Sequence, residues 1–212
     1  MKVEYLTHMG DDLMVANVAR VSMDKHHTEF LESDRGLLRY LAKENHFTPF
    51  AQPQIQLRIT APVAIARQWF RSNVGTIRNE VSRRYVDTPP EFFFPKTWRQ
   101  RPEKNIKQGS GDDIPVYEQG IATTHLERAY KTCAAAYGHL LAMGIAPEQA
   151  RFALPQGMLT SWVETGSLAY WARFCKLRAD QHAQREIQEA AHMVKDIIAP
   201  LFPVSWDMLM TY

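Results

Sequence analysis

Residues Gln54-Ile55-Gln56-Leu57-Arg58-Ile59-Thr60 alternate polar and apolar side chains without a break. Successive strand residues face opposite sides of a sheet, so this period predicts a strand with one face buried and one wet. Such a strand needs neighbours along its edges and a layer against its apolar face. Pro62 follows at once, and proline is tolerated in the first turn of a helix, so a helix is expected from residue 62 to about 71. Residues 2–8 and 156–164 read as further strands, and 91–94 as a short one. Helical spacing of apolar residues predicts helices over 11–23, 115–143, 147–152, 166–178 and 182–199. A helix over 36–44 has Ser33 or Asp34 as its cap. Residues 45–50 form a turn, and the polar stretches 75–84 and 96–114 read as loops, the second long and exposed. Strands separated by long helical insertions favour an α+β architecture: a mostly antiparallel sheet flanked by long helices, as a single domain over 1–212.

With 45% apolar and 23% charged residues the chain can build a core, and disorder is excluded. The longest apolar run, 61–66, is far short of the ~18 residues that a membrane span needs. The start, Met1-Lys2-Val3-Glu4-Tyr5, has no apolar signal core, so a cytoplasmic protein without membrane partners is expected. Cys133 and Cys175 form no CxxC and read as reduced, buried thiols. The histidines make no HExxH and no Cys/His quartet, so no metal is expected.

Net charge is only +2, but it is unevenly spread. Residues 58–84 hold six arginines (Arg58, Arg67, Arg71, Arg78, Arg83, Arg84), no lysine, and one acid, Glu80. A nucleic-acid binder spreads its positive charge over a face. A local, all-arginine cluster suits one compact anion such as a phosphate. The competing reading is a solvated segment with structural ion pairs.

On a helix, Arg67 and Arg71 are four apart and Gln68 and Arg71 three apart, so they share a face, while Trp69 and Phe70 pack. The following loop places Glu80, Ser82 and Arg84 within five residues, enough to hold a phosphate and a polar ring edge. Ser82 has no adjacent histidine to activate it, which favours a hydrogen-bonding role. On a helix the basic residue sharing the face of Cys175 is Arg178, three residues on, and with nothing else placed to lower its pKa Cys175 reads as a packed thiol. Trp162 and Trp171 are core candidates, and His26-His27 is read as exposed.

The segment Arg67-Gln68-Trp69-Phe70-Arg71 leading to Asn79-Glu80-Val81-Ser82-Arg83-Arg84-Tyr85 resembles the signature of the flavin-dependent thymidylate synthases. Four further blocks follow that family's order: Ala16-Asn17-Val18-Ala19-Arg20-Val21-Ser22, Asn45-His46-Phe47-Thr48-Pro49-Phe50, Ala150-Arg151-Phe152-Ala153-Leu154-Pro155, and Leu177-Arg178-Ala179-Asp180-Gln181-His182-Ala183-Gln184-Arg185-Glu186-Ile187. The resemblance implies conversion of dUMP to dTMP, with methylenetetrahydrofolate as one-carbon donor and FAD reduced by NADPH, in a homotetramer with active sites at subunit interfaces. It implies dUMP contacts from Gln68, Arg71, Glu80, Ser82, Arg84, Arg151 and Arg178. Catalytic roles fall to Arg178, at the pyrimidine edge, and to His46. The flavin would meet His46, Thr48, Arg71, Ser72, Asn73, Glu80, Ser167 and His182.

The chain departs from the family pattern on the flavin side. Ser72 and Asn73 stand where His and Arg are usual, and one extra residue lies between Arg71 and Ser82. Ala51 and Gln52 replace a common Glu-His pair, Ser167 replaces an Asn, and Ala169 replaces an Arg. Arg173, one helical turn after Ala169, and Arg78, in the lengthened loop, are expected to restore positive charge near the FAD phosphates. The altered segment keeps open a C5-methylase or hydroxymethylase acting on UMP or dCMP, and the six-arginine segment with the basic residues of 96–107 keeps open a non-catalytic nucleotide- or nucleic-acid-binding protein. The near-neutral total charge weighs against nucleic acid.

Overall fold

A computed structural model describes residues 1–102 and 109–212. It contains four strands: β1 Lys2–Met9, β2 Gln54–Pro62, β3 Thr76–Glu80 and β4 Leu159–Ser167. They form one sheet in the order β1-β2-β4-β3. The pairings along β4 run antiparallel. Gln56 donates to Thr165 Oγ1 at 2.9 Å while Thr60 lies opposite Ser161, and Thr76 meets the Thr165 carbonyl while Glu80 meets Thr160. The described helices are α1 Asp12–Arg20, α2 Glu32–Lys43, α3 Val63–Trp69, α4 Val116–Ala142, α5 Pro147–Ala150, α6 Leu168–Arg178, α7 Arg185–Ile198 and α8 Pro203–Thr211. None of them is long and apolar enough to cross a membrane. The α+β architecture read from the sequence is present.

The chain groups into two compact units, and β2, β3 and β4 give residues to both. The first contains residues 60–71 and 80–162. Its core sets Trp162 edge-on against Trp69 and Phe70, with ring centres 5.4 and 5.0 Å apart. Tyr130 and Tyr137 are the buried residues of α4, seven apart and so on one face. Tyr130 stacks on Phe92 and donates to the Phe93 carbonyl at 2.9 Å. A Cβ at position 157 would lie 1.8 Å from the Tyr130 hydroxyl oxygen, so only glycine fits at Gly157.

The second unit contains residues 2–59, 72–79 and 163–212. The alternation of β2 buries Ile55, Leu57 and Ile59 on one face. Trp171 and Phe174 of α6 and Ile187, Ala191, Val194 and Ile198 of α7 are buried as well. Asp12 accepts the N–H groups of Val204 and Ser205 at 2.8 Å each, satisfying orphan donors in the first turn of α8. Arg20 pairs with the fully buried Asp34, which also accepts from the Leu31 N–H and lies 3.0 Å from His27 Nδ1.

Several expectations need correction. The stretch 75–84, read as loop, contains β3. Its inward residues are Thr76 and Arg78 and Ile77 points out, so the hydrophobic signal of a strand is missing. The last strand runs over Leu159–Ser167, three residues later than expected, because a turn closes from Met158 N to the Pro155 carbonyl. Pro62 ends β2 and caps α3, and α3 stops at Trp69, which leaves Arg71 beyond the helix. Residues 91–94 make a single bridge, Phe92 to Met158. α2 starts at Glu32, capped by Leu31, with Asp34 returning to the Leu31 N–H rather than standing as the cap itself. α7 starts at Arg185, since Asp180 accepts the His182 N–H and holds a turn there. His27 is half-buried against Asp34. α8 carries no expectation from the sequence. The loop over 96–114 shows a bridge from Arg99 to Asp113, and residues 103–108 of it lie outside the described residues.

Candidate active site

Within the first unit a cleft of about 790 Å³ opens beside β4. Arg67 reaches it from α3, Glu80 from the end of β3, Ser82 from the turn that follows, and Arg151 from the 3₁₀ turn after α5. Thr160, 4% exposed, donates its hydroxyl to Glu80 Oε1 at 2.6 Å and so aims the carboxylate. Arg151 Nε donates to the Glu148 carbonyl at 3.1 Å, which leaves the outer guanidinium nitrogens for a ligand. Ser82 Oγ accepts from the Arg84 N–H at 3.3 Å, closing a local turn. Two guanidinium groups and a hydroxyl can bind a phosphate, and a carboxylate can accept from a ring N–H. The cleft therefore has the chemistry of a nucleotide site.

Of the expected dUMP residues, the cleft brings together Glu80, Ser82 and Arg151. Gln68 and Arg71 belong to the same unit without lining it, and the Arg84 guanidinium lies 5.1 Å over the exposed Tyr85 ring. Arg67 and Thr160 were not singled out as ligand residues. Arg67 carried a signal in its share of the arginine cluster; Thr160 carried none, because its role depends on the strand beside it.

The second unit holds the remaining residues. Arg178, at the end of α6, points an Nη donor at Ser72 Oγ, 3.4 Å away. Arg173, exposed on α6, donates to the Val74 carbonyl. Gly75, at φ +87°, accepts the Ser167 N–H through its carbonyl at 3.0 Å. Its left-handed backbone favours glycine, and a Cβ there would press on Ser167 Oγ at 3.2 Å. His46 and Thr48 are exposed, with the His46 ring edge-on to Tyr40 at 5.8 Å. His182 is exposed and sits 2.9 Å from Asp180. The His182 backbone N–H and then its ring hold the Asp180 carboxyl below the usual range.

Two residues expected on the flavin side have partners within the unit. Ser167 is buried and spends its hydroxyl capping α6, accepting from Tyr170 N at 3.1 Å. Arg78 lies on β3 with its side chain 14% exposed, 2.9 Å from the fully buried Glu164 and 3.0 Å from the Tyr170 hydroxyl. Its charge is neutralised inside the unit rather than offered to a flavin phosphate. Burial opposes the charge on Arg78, and the Glu164 carboxylate outweighs it and raises the pKa. Burial, then Glu164, raise the Tyr170 phenol far above its usual range, so it remains a neutral donor.

The family model described as "Thymidylate synthase complementing protein" matches residues 4–204. The chain is 33% identical over 211 residues to the flavin-dependent thymidylate synthase of Thermosipho africanus (strain TCF52B), covering 96% of this chain and 88% of that protein. It is 35% identical over 208 residues to that of Kosmotoga olearia, covering 96% and 87%. Among solved structures, the UMP/dUMP methylase PolB from Streptomyces cacaoi bound with 5-Br dUMP superimposes with a TM-score of 0.89 at 27% identity, covering 100% of this chain and 95% of the other. The same methylase bound with 5-Br UMP also gives 0.89, at 26% identity.

Proposed function

We propose that this chain, which belongs to the thymidylate synthase complementing protein family of flavin-dependent thymidylate synthases, methylates C5 of a uridine nucleotide, with dUMP as its substrate. The observation that carries this reading is the cleft in which Arg67, Arg151, Ser82 and Glu80 converge. Arg67, Arg151 and Ser82 bind the phosphate end, and Glu80, aimed by Thr160, accepts from the pyrimidine. The resemblance, and not the cleft, gives Arg178 its role: stabilising negative charge on the activated ring, an interaction stronger in the transition state than in the ground state. Cys175 is not the nucleophile in this reading: burial pushes its thiol up to about 12, so it stays protonated at neutral pH.

The resemblance adds methylenetetrahydrofolate as one-carbon donor, NADPH as reductant, FAD, and a homotetramer built from 1–212 as the catalytic domain. The donor set of the second unit fits a flavin in part. Arg173, Asn73, His46, Thr48 and His182 are exposed cations and hydrogen-bonding groups that could hold it, whereas Ser167 and Arg78 are committed internally. A bound flavin would carry the two electrons that turn a transferred methylene into a methyl group.

UMP is the second reading. It is favoured by the 0.89 TM-score to a methylase named for both UMP and dUMP and solved with bromo analogues of both. The test is mass analysis of products formed from dUMP, UMP and dCMP with methylenetetrahydrofolate, NADPH and FAD. A 14 Da gain on dUMP supports the main reading, and a gain on UMP alone replaces it by the second. Hydroxymethyl products, or no product at all, would sink both.

A further inference from the structure

Residues 70–75 connect α3 to β3, and 72–76 are tied down by groups of β3, β4 and α6. The Ser72 carbonyl accepts from Arg78, the Val74 carbonyl from Arg173, and the Gly75 carbonyl from the Ser167 N–H. The Ser72 hydroxyl faces Arg178 and the Thr76 hydroxyl faces Glu164. Glu164 is the centre of this network. It is fully buried in β4, and its Oε1 lies 2.9 Å from Thr76 Oγ1, 2.9 Å from Arg78 Nη2 and 2.5 Å from the Tyr170 hydroxyl.

A buried carboxylate is tolerated only when paired and hydrogen-bonded, and a well-packed apolar pair can stabilise a fold as well. What the ion pair adds here is direction. Arg78 Nη2 joins Glu164 and Tyr170 to the Ser72 carbonyl, so the backbone at Ser72 follows the position of the carboxylate. The Ser72 hydroxyl is in turn the acceptor placed at the Arg178 guanidinium. We propose that Glu164 is a positioning residue for Arg178, acting through Arg78 and Tyr170 on Ser72 and through the Ser72 hydroxyl on the guanidinium. This rests on the role given to Arg178 under the proposed function.

The test compares wild type with Glu164→Gln, Tyr170→Phe, Ser72→Ala and Ser72→Thr at saturating FAD and methylenetetrahydrofolate, with kcat, KM for dUMP and melting temperature measured for each. A misplaced charge-stabilising group lowers kcat about tenfold in Glu164→Gln and Ser72→Ala, and less in Tyr170→Phe, while KM moves less than about threefold. Ser72→Thr, which keeps the hydroxyl, recovers most of the loss. Residues on one path do not add, so Glu164→Gln with Ser72→Ala should lose no more than the worse single variant. A lowered melting temperature with kcat within about twofold of wild type in both Glu164→Gln and Tyr170→Phe makes Glu164 a stability residue and overturns the inference. If Glu164→Gln does not fold, Tyr170→Phe and Ser72→Ala decide on the same criteria. A wild type that methylates neither dUMP nor UMP overturns the functional reading and this inference with it; an active wild type with unaffected variants overturns this inference alone.

Discussion

Thr160 Oγ1 and Glu80 Oε1 lie 2.6 Å apart across the β3–β4 pairing, 80 residues apart in the chain. Thr160 is almost fully buried, whereas Glu80 opens to the cleft. The hydroxyl therefore holds one carboxylate oxygen and leaves the other to a ligand. Thr160→Val keeps the shape and removes the donor. It is expected to lower kcat/KM for dUMP by about fivefold, equivalent to about 1 kcal/mol, with the melting temperature little changed. An unaltered kcat/KM in steady-state assays would separate Glu80 from nucleotide recognition.

Arg151 and Arg178 should fail in different ways. A phosphate contact acts equally in ground and transition states, so Arg151→Ala raises KM about tenfold and spares kcat. A charge-stabilising donor acts in the transition state, so Arg178→Ala lowers kcat about 10²–10³-fold with a smaller change in dUMP affinity. Paired kinetic and calorimetric measurements check both, and the reverse assignment of effects would exchange the two roles.

Cys175→Ser should fold, bind flavin and keep its turnover. The thiol is 1% exposed, contacts the Ala191 carbonyl at 3.4 Å and has its pKa pushed up to about 12 by burial. Iodoacetamide should leave it unlabelled in the native protein at pH 7, as read by peptide mass mapping. Loss of turnover in a folded, flavin-bound variant would reopen a covalent mechanism.

Acid stability should report on Asp34. Burial raises its pKa, but hydrogen bonds from His27, the Leu31 N–H and Arg20 outweigh this and hold the carboxyl at about 2, against 3.8 ordinarily. A folded pKa below the unfolded one means stabilisation that is complete above about pH 4 and lost as pH falls towards 2. Asp34→Asn removes that dependence and leaves Arg20 buried without its counter-ion, at a cost of about 3 kcal/mol. Urea melts at pH 7 and pH 3 measure both effects, and equal losses of stability at the two pH values would contradict the assignment.

Much of the chain could be read before folding was considered, because it rests on local periodicity and contiguous motifs. The alternation of 54–60 marked β2, the stripe Ile187, Ala191, Val194, Ile198 marked α7, and five ordered blocks marked the family. Glu80 and Ser82 stand out because they sit in a short run whose residue types already suit a nucleotide, and Arg151 because its block resembles one of the family's. What the tertiary structure decided lies where polar residues satisfy each other across strands. β3 has no apolar alternation, since the partner that buries Arg78 is the carboxylate of Glu164, 86 residues away. The commitment of Arg78 to that pair, of Ser167 to the cap of α6, and of Thr160 to Glu80 follows from distances that no spacing along the chain encodes. Hydrophobic period is a property of one segment; the satisfaction of a buried charge is a property of two, and it exists only once the fold has brought them together.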